Sequence, residues 1–157
     1  VEILGSPCLV DRFKTEGKDS LTILLQNVSA ATDSMVLCRF SQFAMNPDHY
    51  ARLLRAATGI PFGARDLISI GDRIYNLERA FNAREGFSRK DDSLPTRLLQ
   101  QPLPEGHSKN TTVALDPMLD EYYRLRGWTN EGIPMTGTLT DLNLNEASKQ
   151  IAEIYAV

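Results

Sequence analysis

Cys38 is the side chain whose type and surroundings point most directly to chemistry. It lies in Asp33-Ser34-Met35-Val36-Leu37-Cys38-Arg39-Phe40, just past a predicted helix, where backbone N–H groups and a thiol can converge on one ligand. The alternative is a buried structural cysteine, the commoner fate of a free thiol. The other cysteine, Cys8, has no partner at metal-ligand spacing, and two cysteines in 157 residues do not make a disulfide framework. His49 and His107 have neither Cys nor His at such spacing and read as surface residues. Glu16-Gly17-Lys18-Asp19 is no phosphate loop: Arg12 stands where the first glycine belongs, and Asp19 replaces the metal-binding Ser or Thr. Asn110-Thr111-Thr112 matters as a glycan acceptor only in a secreted eukaryotic protein. Glu78, Arg79, Arg84, Glu85 and Arg89, with Asp91 and Asp92, read as ion pairs that pin the following loop.

The elements that position these residues carry the punctuation of an all-α protein. Leu21, Leu24, Leu25 and Val28 fall at helical spacing in a helix over about 16–32. Asn46-Pro47-Asp48 opens a second: Asn caps the free N–H groups, Pro suits the first turn, and Asp favours the positive dipole end. Tyr50, Leu53, Leu54 and Ala57 form its apolar face, and Gly59 with Pro61 ends it. The longest helix is predicted over about 64–85, with Leu67, Ile70, Gly71, Ile74, Leu77, Glu78 and Phe81 on its buried stripe and Gly86 as its left-handed cap. Residues 87–115, rich in proline, form a long ordered excursion. A helix follows from Asp116-Pro117 to Arg126, stopped by Gly127, and a last one starts near Asn143 with Glu146 completing a capping box. The expected core comprises Leu24, Leu25, Leu53, Leu54, Leu67, Ile70, Ile74, Leu77, Phe81, Leu119 and Tyr122. No segment sustains period-2 alternation, so a sheet core is not expected.

Net charge is −3, from 17 Lys+Arg against 20 Asp+Glu, which argues against nucleic-acid binding. No apolar run approaches the roughly 18 residues of a membrane span. The first residues lack the basic start and apolar core of a signal peptide, so the thiols are read as reduced and the location as cytoplasmic. The chain also opens without a starting Met, as a fragment would. It reads as one helical fragment over 1–157, or two small lobes over about 1–110 and 111–157.

Asp33-x-x-x-Leu37-Cys38 resembles the Asp-x-x-Gly-Leu-Cys element of the tungsten-containing aldehyde:ferredoxin oxidoreductases. Further similarity lies in Glu16-Gly17-Lys18, in Tyr50-x-x-Leu53-Leu54-x-Ala56-x-Thr58-Gly59, and in the string from Gly71 through Asn76-Leu77-Glu78-Arg79 to Leu94-Pro95. Met118-Leu119-Asp120-Glu121-Tyr122-Tyr123-x-x-Arg126-Gly127-Trp128 continues it, so the resemblance runs from about Glu16 to Asn145. It implies the irregular helical array of that family's C-terminal domains. It implies an enzyme that oxidises aldehydes to carboxylic acids, using a tungsten- or molybdenum-pterin cofactor and a [4Fe–4S] cluster, with ferredoxin as electron acceptor. Cys38 would be one of four cluster thiolates, Asp33 would bind a pterin, and Leu37 would contact it through its backbone. A cluster needs thiolate sulfur, and a carboxylate suits a pterin's N–H donors. Val36 departs from the family's usual Gly, and a branched side chain there restricts positive φ.

The resemblance implies that the other three cluster cysteines belong to a Cys-x-x-Cys-x-x-x-Cys arrangement earlier in the family's chain, and the β-rich domain that supplies the base of the cofactor site is also expected to be missing here. The isolated chain is therefore expected to be inactive and to bind neither cluster nor pterin. Its partners would be the missing N-terminal domain, ferredoxin and an aldehyde. An exposed apolar patch around Leu37 and Phe40 would mark the lost interface and favour homo-oligomers. The alternative is a stand-alone helical interaction or scaffold module that has lost the chemistry; reading upstream for the missing cysteines separates the two.

Overall fold

A computed structural model describes residues 2–3, 6–7, 11 and 13–155; Cys8 lies outside the described residues. Two two-residue strands, β1 (Glu2–Ile3) and β2 (Ser6–Pro7), form an antiparallel ribbon. The other described elements are helical: α1 (Lys18–Ser34), α2 (Pro47–Thr58), α3 (Ala64–Arg84), α4 (Thr96–Gln100), α5 (Leu115–Arg126), α6 (Thr136–Asp141) and α7 (Asn145–Tyr155), with all but α4 and α6 where the punctuation predicts a helix.

Local chemistry explains the helix ends. Asn46 Oδ1 accepts the His49 N–H at 3.2 Å, and the Asn46 N–H donates to His49 Nδ1 at 3.2 Å. His49 is exposed, as expected, but completes a reciprocal cap in the place usually taken by Glu. Asp66 Oδ2 accepts the Gly63 N–H at 2.8 Å and starts α3. Gly59, Gly86 and Gly127 follow α2, α3 and α5 with φ of 74°, 92° and 67°, the left-handed conformation that ends helices at little steric cost.

Helix α3 is the spine, packed on α1, α2, α6 and α7, while α1 also packs on α5. A Cβ on Gly71 would lie 1.8 Å from the Asn27 carbonyl oxygen, so this glycine sets how closely α1 and α3 approach. Two apolar clusters flank the spine. One gathers Ala31, Tyr50 and Leu67, with Met35, Leu37, Met45 and Leu54 against it. The other holds Ala80, Ala83, Ile133, Leu139, Leu144 and Ile151.

Polar groups join the helices between these clusters. The Arg126 side chain is fully buried, and it donates to Asp72 Oδ1 (2.6 Å), Asn27 Oδ1 (2.7 Å) and Gln26 Oε1 (2.8 Å). The Trp128 indole N–H donates to Asn76 Oδ1 at 2.7 Å.

Of the expected core residues Leu67 is buried, Leu24, Leu25, Leu54, Ile70, Ile74, Leu119 and Tyr122 are partly buried, and Leu53, Leu77 and Phe81 are 49%, 49% and 54% exposed. The buried stripe of α3 runs through Leu67, Gly71, Asn76, Ala80 and Ala83, about one residue round the helix from Leu77 and Phe81. At Gly71 the close approach of α1 admits no side chain, and Ala80 and Ala83 continue the buried stripe while Leu77 and Phe81 are left on the flank. Helix α4 lies in the stretch read as an excursion, α6 falls where no helix was expected, and α7 begins two residues later than Asn143. Gly137 and three threonines give α6 poor intrinsic propensity. Tertiary bonds hold it: Thr138 Oγ1 donates to the Gly127 carbonyl at 2.9 Å, and Ser148 Oγ to the Thr136 carbonyl at 3.1 Å.

The charge set after α3 pins the loop as predicted. Arg79 grips Asp92 with two hydrogen bonds, 3.0 and 2.6 Å, and donates to the Gly132 carbonyl at 2.7 Å. Arg84 pairs with Glu85 at 3.0 Å. Arg89 reaches α5 instead, pairing with Asp120 at 2.6 Å and Asp116 at 3.6 Å. Among the described residues no helix is long and apolar enough to cross a membrane.

Candidate functional site

The segment from Asp33 to Cys38 is one rigid turn. Past the end of α1, the Leu37 N–H donates to the Thr32 carbonyl (3.4 Å) and the Val36 N–H to the Asp33 carbonyl (3.0 Å). This is a Schellman motif, whose left-handed residue is usually glycine. Here it is Val36, with φ of 58° and 91% of its surface exposed. The backbone thus keeps the shape a glycine would give, at a steric cost for a β-branched side chain. The side chain of Leu37 packs against the Ala31–Tyr50–Leu67 cluster, the apolar contact that normally accompanies such a turn.

Cys38 comes next with extended backbone, and a 3-10 turn over Arg39–Phe43 follows. Its carbonyl is held twice by Ser41, through N–H (3.0 Å) and Oγ (2.7 Å). Ser41 Oγ also meets the hydroxyl of fully buried Tyr50 at 2.7 Å. Arg39 Nη2 reaches back to Ser29 Oγ and Gln42 Nε2 to Thr32 Oγ1, both at 2.9 Å, lacing the 3-10 turn onto α1. On this braced backbone the Cys38 residue is exposed and its thiol is free. Exposure removes the reading of Cys38 as a buried structural cysteine. Beside it Phe40 and Phe43, 79% and 69% exposed, stack with ring centres 6.2 Å apart.

Asp33 is exposed at the end of α1 and lines a cavity of about 370 Å³ with Gln26, Ser29, Arg39, Tyr75 and Glu78. Gln26, Tyr75 and Glu78 also line an adjoining cavity of about 400 Å³ between α1, α3 and α5. Gln26 Nε2 donates to the Tyr75 hydroxyl at 2.7 Å, and Tyr122 donates to Gln26 Oε1 at 2.8 Å. Burial, then the Tyr122 phenol beside it, pushes the Tyr75 phenol well above its usual range. Burial, then the hydrogen bond to Asp92, does the same to Tyr123. These tyrosines remain neutral hydrogen-bonding walls at neutral pH.

Sequence reasoning singled out Asp33, Leu37 and Cys38, which share this turn, but missed its braces. Arg39 and Ser29, or Ser41 and Tyr50, match no motif, and only the fold brings each pair together. The donor chemistry fits a cluster ligand in part: Cys38 offers one free thiol on an exposed residue. Among the described residues no group of three or more His, Cys, Asp or Glu is placed to hold a metal ion.

A family model described as "Aldehyde ferredoxin oxidoreductase, domains 2 & 3" matches residues 1–144. The chain belongs to the aldehyde ferredoxin oxidoreductase family. Within it, the tungsten-containing aldehyde ferredoxin oxidoreductase of Pyrococcus furiosus is 43% identical over 147 residues, covering 92% of this chain and 24% of that protein. The protein of the same name from Thermococcus kodakarensis is 44% identical over 133 residues, covering 83% of this chain and 22% of its own length. The chain thus spans about a quarter of the length of the curated relatives it matches, in the portion assigned to domains 2 and 3 of the aldehyde ferredoxin oxidoreductase family. Among solved structures, the active site complex BamBC of benzoyl coenzyme A reductase, in complex with 1,5 dienoyl-CoA, is similar in fold. Its TM-score is 0.77 at 21% identity, covering 98% of this chain and 23% of that one.

Proposed function

We propose that this chain forms the helical part of a cytoplasmic oxidoreductase that converts aldehydes to carboxylic acids and passes the electrons to ferredoxin. An N-terminal domain of the same enzyme supplies the rest of the cofactor site. The observation that supports this reading is the braced turn, at which Asp33 and Cys38 are both exposed, with Phe40 and Phe43 exposed just after it. A scaffold module has no need of such a presentation. The glycine-like φ of 58° at Val36 also removes the main argument for a lost site, since the turn survives the substitution.

When bound, a tungsten- or molybdenum-pterin and a [4Fe–4S] cluster supply the two-electron oxidation and the path outward for electrons. The residues of this chain hold and orient. Cys38 contributes one of four thiolates to the cluster, and Ser41 fixes the backbone from which that sulfur projects. Asp33 accepts hydrogen bonds from pterin N–H groups, and the anchored Leu37 leaves its backbone to face the cofactor. Phe40 and Phe43 exclude water by packing against the N-terminal domain. The two cavities that share Gln26, Tyr75 and Glu78 form part of the route taken by substrate.

The reading is tested in the longer enzyme by Cys38→Ser, with iron and the electron paramagnetic resonance of the reduced protein as readouts. The expected result is loss of the cluster signal with the fold retained. A variant that keeps stoichiometric iron and an unchanged signal would overturn the assignment of Cys38. In the isolated chain, metal analysis should find no stoichiometric iron, because one thiolate cannot retain a cluster that normally takes four.

A further inference from the structure

We infer that the cavity walled by Lys14, Lys18 and Arg97 binds a small amphiphile with a phosphate head and an apolar body. This cavity, about 920 Å³, lies between the entry to α1, helix α4 and the loop that leads into α5. Its described lining includes three cations and no carboxylate, although the whole chain carries a net charge of −3. The cavity between α1, α3 and α5, by contrast, has Asp19, Glu78 and Asp92 in its wall. Among the described residues neither Lys14 nor Arg97 has a carboxylate partner, so their charge is available to a ligand.

Below the cations the floor is apolar. Leu98 and Leu103 are 47% and 42% exposed and Val113 is 38% exposed, an arrangement that favours a hydrocarbon over water. The wall is built rather than loose. The Val113 N–H donates to the Leu98 carbonyl at 3.0 Å, the Asn110 N–H to the Leu103 carbonyl at 2.9 Å, and the Lys109 N–H to the Gly106 carbonyl at 3.1 Å. Thr112 adds a neutral hydroxyl to the wall, while the Thr111 hydroxyl donates to the Ser108 carbonyl at 2.6 Å and braces it. The two cations without a carboxylate partner, Lys14 and Arg97, match the two negative charges and several acceptor oxygens of a phosphate monoester better than the single charge of a carboxylate. The volume lies within the range of small-molecule pockets, about 300–1,000 Å³.

The test is a titration of the isotope-labelled chain, followed by amide NMR shifts, with octyl phosphate, octanoate, inorganic phosphate and octanol. Octyl phosphate is expected to shift the amides of Arg97, Leu98, Leu103 and Val113 saturably, binding about tenfold or more tighter than each of the other three, a difference near 1.4 kcal/mol. The double variant Arg97→Gln with Lys14→Gln should lose about tenfold in affinity for octyl phosphate while its melting temperature stays put. Octanol binding as tightly would overturn the charge argument, and inorganic phosphate binding as tightly would overturn the apolar floor. Octanoate at equal affinity would overturn the phosphate head. A double variant that melts and binds like the wild type would remove the cations from the site.

Discussion

At the scale of single residues, Val36 is the position where backbone and side chain disagree. Its φ of 58° belongs to glycine, and its side chain is 91% exposed, so it gains little by burial. Left-handed backbone costs a non-glycine residue about 1–2 kcal/mol, and glycine recovers most of that while adding some entropy to the unfolded chain. Val36→Gly is therefore expected to stabilise the chain by about 1 kcal/mol, read as a higher denaturant midpoint at unchanged slope. A lower midpoint would mean that the valine makes a contact worth more than its strain. Cys38 yields a second expectation at this scale. Its exposure predicts labelling by a thiol reagent in the native state, as fast as in urea to within a few-fold. A thiol that labels only on unfolding would contradict the braced, outward presentation.

Between elements, the contact of α1 with α3 is decided by the absence of a side chain. A Cβ at Gly71 would meet the Asn27 carbonyl oxygen, carbon and Cα at 1.8, 2.4 and 2.7 Å, all backbone atoms that cannot rotate away. Gly71→Ala should force the helices apart and destabilise by about 3 kcal/mol or more, despite alanine's better helix propensity. An exposed helix glycine changed to alanine would gain about 1 kcal/mol, so the sign of the effect, measured by urea unfolding, is the test. Helix α6 makes the same point from the other side: a weak helix former is helical because Gly127 and Ser148 supply partners for Thr138 and Thr136.

On the scale of the whole molecule, Arg126 ties α5 to α1 and α3 through Gln26, Asn27 and Asp72. Arg126→Met keeps much of the packing but strands these acceptors, and the expected loss is about 3 kcal/mol. A neutral result would mean that water satisfies them equally well. The buried phenols set the alkaline limit. Tyr75 and Tyr123 are both raised in the folded state, so the unfolded chain loses these protons first, near pH 10. The stability they contribute is intact below that pH and falls as pH rises toward the folded values, by up to about 1.4 kcal/mol per pH unit for each phenol. Tyr123→Phe should cost stability at neutral pH, through the lost bond to Asp92, yet flatten the decline above pH 10. An unchanged alkaline slope in that variant would assign the decline elsewhere.

What sequence alone determined here is local in origin. Asn46-Pro47 and Gly59 bound α2, and Gly86 and Gly127 end α3 and α5, because capping and left-handed turns depend on residues within a few positions of one another. The motif Asp33-x-x-x-Leu37-Cys38 was legible for the same reason, as was the clamp on the loop by Arg79 and Asp92, thirteen positions apart. Tertiary structure decided which apolar residues are buried. Leu53, Leu77 and Phe81 have helical spacing and still face outward, while Ala80 and Ala83 are buried and Gly71 takes the interface with α1 because the Asn27 backbone leaves no room for a side chain there. It also decided the braces on Cys38 and the cation-lined cavity. Ser41 meets Tyr50, and Lys14 shares a wall with Arg97, only after distant segments pack. Such proximity has no signature in spacing, since through-space distance between segments is set by packing and not by position along the chain.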